Sequence, residues 1–100
     1  MIPAMQAYHG AAAGIVDGGF YCKTPENRPL IGPLAVEGAF VLGALSGSGL
    51  MAAHASAELL SLHVVGGKLP DYAPWFLASR YADASYRERI AGWGSLSGQL

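Results

Sequence analysis

Charge is scarce in this chain. Asp, Glu, Lys and Arg make up 13% of its 100 residues, about half of the roughly 25% usual in globular domains. The net charge is -1, with six basic residues scattered along the chain, so there is no electrostatic footprint for nucleic acid or anionic lipid. Cysteine is scarcer still. Cys22 stands alone, so no internal disulfide can form and no CxxC metal or redox pair exists; a reducing, cytoplasmic setting is the expectation. The start, MIPAMQAYHG, lacks the basic and apolar regions of an export signal. Long apolar runs are interrupted as well. Residues 38–57 carry no charge, near the length that spans a bilayer. Four glycines, three serines and His54 break that window, and no Lys or Arg flanks it, which argues against a membrane span.

What is present reads like an interior. Hydrophobic residues form 52% of the chain, with 14 glycines and 6 prolines, and a free-standing domain of this size needs more polar surface. Residues 1–13 show no period and read as a loop or frayed entry. GIVDGGFYCKT (14–24) predicts a strand with a bend at Gly18-Gly19, and PENRP (25–29) a turn in which Asn27 tolerates left-handed geometry. Leu30 and Ile31 form a short extended piece ended by Gly32-Pro33. A turn at VEG precedes FVLGAL, a strand expected to be covered on both faces because nothing in it alternates.

After Gly49 the spacing predicts a helix of roughly four turns, stopped at Gly66-Gly67. Only His54, Glu58 and Ser61 form a polar stripe on it, so it is expected to be buried on most sides. Such a strand and helix need several partner layers, and the chain is expected to be part of a larger domain. KLPDYAPWFLASRYADASYRERI (68–90) reads as a proline-punctuated loop and a short helix capped by Asp83. Trp75, Phe76 and Tyr81 are expected to cover apolar surface, and the Gly/Ser-rich tail from residue 91 to be mobile.

Several chemistries can be weighed. GSGLMA (47–52) fits the G-x-G-x-x-G/A pattern between a strand and a helix, where free N–H groups and the helix dipole favour negative charge. A complete dinucleotide unit also needs a second strand carrying an acidic residue; Asp71 lies at about the right distance with no strand to carry it. No serine sits in G-x-S-x-G, which excludes that hydrolase pattern. His54 and Glu58 lack a third metal ligand. Cys22 has no adjacent base and is expected to be a buried small hydrophobe. No catalytic residue is assigned.

Three blocks in order, GGFYCKTPENRPLIGP, AFVLGALSGSGLMAAHASAELL and LPDYAPWFLASRY, resemble the carboxyl-terminal part of the D-amino acid oxidase/glycine oxidase/sarcosine oxidase family of FAD-dependent oxidoreductases, over roughly residues 14–81. The resemblance implies an α/β fold, α+β when the chain is taken alone. The chain would be an incomplete piece of a FAD/NAD(P)-binding flavoprotein fold, with a few strands, one long buried helix and a short C-terminal helix. Residues 14–33 would be substrate-domain strands returning to the FAD domain, 39–66 the flavin-contacting strand, turn and helix, and 67–100 a C-terminal loop, short helix and tail.

The resemblance also implies site residues. Gly47, Ser48, Gly49 and Leu50 would lie against the flavin pyrimidine, whose negative charge on reduction a helix amino terminus stabilises. Tyr21 falls where glycine oxidase-like members hold the substrate carboxylate with Arg and sarcosine oxidase-like members carry Tyr. Met51 falls where sarcosine oxidases place a carboxylate-gripping Lys, a departure that puts an α-amino acid substrate in doubt. The covalent flavin cysteine would fall at Gly19 and not at Cys22, implying non-covalent FAD. The expected function is part of an FAD-dependent oxidoreductase acting on a small amine or amino acid, inactive alone because the ADP-binding region is missing. Another chain, or self-association, would cover its apolar faces. The rival is a non-catalytic α+β interaction module whose Gly-Ser-Gly turn only packs helix on strand.

Overall fold

The computed structural model describes residues 3–11, 14–15 and 17–92. Two antiparallel strands, β1 (Leu30–Pro33) and β2 (Phe40–Gly43), pair Leu30 with Gly43 and Pro33 with Phe40. The hairpin closes through Leu34 N–H donating to Ala39 O at 2.9 Å and Ala39 N–H to Val36 O at 3.1 Å, with Gly38 at φ 75°. Helix α1 (Gly49–Val65) follows at once. It stops where the sequence indicates. Gly66 adopts φ 68° and Gly67 N–H returns to Leu62 O at 2.9 Å, a glycine termination that satisfies a terminal carbonyl.

Helix α1 lies against both strands. The core is small: Ile31 of β1, Leu59 of α1 and Ala73, with Leu60 and Phe76 packed around them. Ala73 and Phe76 belong to a short 3₁₀ turn, Ala73–Phe76, which a second, Ala78–Ala82, follows. Gly32 is the closest point of this packing. At φ 138°, a Cβ there would lie 2.7 Å from Leu77 Cδ2 and 3.2 Å from His63 Nε2, so only glycine lets β1, α1 and the following segment meet. Helix α2 (Ala84–Ala91) closes the described chain. Its N-cap is Asp83, whose Oδ1 accepts from Ser85 N–H at 2.9 Å, as the sequence predicts.

The architecture among the described residues is α+β, and it departs from expectation at several places. No strand forms among the described residues of 14–24. Lys23 makes a single antiparallel bridge to Leu45, and Ile15 and Phe20 are exposed, because the glycines at 14, 18 and 19 weaken an extended segment that has no ladder partner. Strand β2 is not covered on both faces: Phe40 and Leu42 are exposed.

Helix α1 is not buried on most sides either. Only Ser56 and Leu59 are buried, while Leu50 and Met51 are 92% and 84% exposed and Val64 and Val65 are exposed. A two-stranded sheet reaches one face of a helix, and among the described residues nothing covers the face that carries Leu50 and Met51. The loop expected near the start holds a 3₁₀ turn, Pro3–Tyr8. The tail from residue 93 lies outside the described residues. No helix among the described residues is long and apolar enough to cross a membrane.

Candidate functional site

Two places concentrate unusual chemistry, and the first is the turn between β2 and α1. Ala44 and Ser46 both adopt left-handed backbone, at φ 56° and 54°, a conformation that costs a residue with a Cβ on the order of 1 kcal/mol. The chain tightens through a 3₁₀ turn, Ser46–Ser48, with Ser48 N–H donating to Leu45 O at 3.1 Å, and enters α1 at Gly49. Ser48 is the N-cap by position but caps nothing with its side chain, and no acidic residue stands in the first turn. Helix entries ordinarily give their orphan N–H groups a side-chain acceptor. Here no side chain supplies that acceptor among the described residues.

Gly49 fits that arrangement. Its φ is -54°, which any residue adopts, and an added Cβ would make only ordinary contacts, 3.7 Å to Leu45 Cβ and 3.9 Å to Leu45 Cδ1. Neither backbone geometry nor this chain's own packing requires a glycine there. A glycine that the protein's atoms do not demand leaves room for another group to approach the backbone.

The neighbouring segment is held beside this turn. Ser46 N–H donates to Cys22 O at 3.1 Å, and Lys23 bridges to Leu45, so the residues that follow Tyr21 are stitched to the turn's entrance. Tyr21 is 63% exposed. Gly47 is exposed, Leu50 and Met51 stand in the open first turn of α1, and Ser46 Oγ is buried without a hydrogen-bond partner. Cys22, expected to be buried, is exposed. His54 and Glu58 are exposed on the outer face of α1. Among the described residues no three His, Cys, Asp or Glu side chains come together as a metal site.

The second place is a buried carboxylate that the sequence does not announce. Glu26 Oε1 accepts from Arg80 Nε at 2.9 Å, Arg80 Nη2 at 2.7 Å, Tyr81 Oη at 2.8 Å and Tyr86 Oη at 2.7 Å; Tyr81 Oη also lies 2.9 Å from Oε2. Arg80 spends its remaining donors on the carbonyls of Arg28, Pro29 and Leu77. Thr24 Oγ1 accepts from Arg28 N–H and donates to Arg28 O, shaping the same turn.

Burial pushes the Glu26 carboxyl pKa up, but hydrogen bonds from Tyr86, the backbone, Arg80 and Tyr81 outweigh it and hold the group at about 2. Burial, and then hydrogen bonding to Glu26, raises both tyrosine hydroxyls. A buried carboxylate that these donors hold well below the usual range is a poor proton acceptor for a substrate. It is a clamp, not a base. Tyr81 therefore does more than cover apolar surface, and Trp75 lies half-exposed beneath the Arg28 guanidinium, 5.3 Å from the ring centroid.

No protein-family model, curated protein or solved structure matches this chain.

Proposed function

We propose that this chain forms one wall of the flavin site of an FAD-dependent oxidoreductase that oxidises a C–N bond of a small amine or amino acid. The observation that carries the reading is the uncapped start of α1, set behind a strained turn and beginning with a glycine that the chain's own packing does not need. Bound FAD would supply the hydride acceptor for the reaction. The chain's part is to set the turn Gly47-Ser48-Gly49-Leu50 and the dipole end of α1 against an acceptor edge that gains negative charge, with the Ser48 N–H itself held by Leu45 O. FAD would be held without a covalent link, since no cysteine stands at Gly19.

Tyr21, 63% exposed, directly precedes the residues that the Ser46–Cys22 and Lys23–Leu45 pairings hold at the turn's entrance. It is the substrate-face residue of this reading. Met51, uncharged and exposed in the first turn of α1, supplies apolar contact and no ion pair. That favours an amine without a carboxylate over an α-amino acid.

The open faces of α1 and β2 call for cover by further polypeptide of a flavoprotein fold, from the same protein or from another chain, and the described part is inactive by itself. The setting is cytoplasmic, and the partners are a small substrate and that covering polypeptide. The transcript carrying Met1 tests this. An in-frame strand, G-x-G-x-x-G turn and helix upstream supports the reading; a stop codon just upstream, with the chain purifying as a closed, folded monomer, supports a non-catalytic module instead.

A further inference from the structure

We draw no further inference here: the strongest candidate, the apolar cavity of about 280 Å³ between β1, α1 and the Ala73–Phe76 turn, lined by Ile31, Ala52, Leu59, Tyr72 and Phe76, is the open side of the chain's own small core, and nothing in the structure shows what covers it.

Discussion

Arg80 and Glu26, 54 residues apart in sequence, meet with Nη2 2.7 Å from Oε1 and side chains only 5% and 0% exposed. The pair fastens the Ala78–Ala82 turn, and α2 after it through Tyr86, to the turn that leads into β1. Arg80, Tyr81 and Tyr86 all donate to this one carboxylate.

Breaking the pair from one side is therefore expected to be costly. Glu26→Ala strands the Arg80 guanidinium and two tyrosine hydroxyls in a dry site, a loss of about 3–5 kcal/mol for buried pairs of this kind. Urea unfolding followed by circular dichroism reads it. The double variant Glu26→Leu/Arg80→Met should recover much of that loss, because neither charge is left unpaired. Additive single-variant losses in the double variant would show that the two residues do not act together.

The same cluster sets the pH dependence. Glu26 sits at about 2 when folded against an ordinary 4.5. A depressed carboxyl contributes stability that is full above its unfolded value and is lost as pH falls through the folded one. Stability should thus decline between about pH 4.5 and pH 2, and Glu26→Gln should flatten that limb. Tyr81 and Tyr86 are raised above 10.0, so their contribution is complete below that pH and fades as pH rises through the folded values. Thermal melts across the pH range, compared with Tyr86→Phe for the alkaline limb, check both signs.

Gly32→Ala places a methyl group 2.7 Å from Leu77 Cδ2 at a φ of 138°. Overpacking typically costs about 1–3 kcal/mol, and the unfavourable backbone adds to it. Gly38→Ala is the control, having a positive φ but open space around it, and its loss should be the smaller of the two in the same melt.

Gly49→Ala separates folding from ligand approach. With right-handed backbone and only ordinary contacts at its Cβ, the substitution should leave stability unchanged or raise it by up to about 1 kcal/mol. If a ring lies against this backbone, the same variant should bind flavin less well. A clear loss of stability would show instead that the glycine serves the chain's own packing.

The local elements were legible because their signals are local. Gly66-Gly67 after an apolar run ends α1, Asp83 before Ala84 starts α2, and Asn27 in PENRP takes φ 54°, each from one or two residues acting on their own backbone. Burial was not legible, because it depends on what lies opposite. The same apolar circumference that suggests a buried α1 leaves Leu50 and Met51 exposed when, among the described residues, two short strands and the Ala73–Phe76 turn cover one side of the helix.

The Glu26 cluster escaped notice for a related reason. Its members are ordinary residues at 26, 80, 81 and 86, joined only by the fold, and the one hint is that a chain so poor in charge places Arg80 amid the apolar WFLASRY. At the candidate site, the Gly-Ser-Gly turn was visible as a pattern. The left-handed Ala44 and Ser46 were not, since neither residue type signals that geometry.

The most direct test of the flavin-site reading is the visible absorption spectrum of the protein isolated, tagged, from its own cells together with whatever polypeptide accompanies it. The account predicts the two absorption bands of oxidised flavin, bleached by a small amine without oxygen and much reduced in a Gly49→Asp form, where a carboxylate would occupy the approach to the helix start. A folded, soluble protein with no flavin bands, indistinguishable from its Gly49→Asp form, would contradict it.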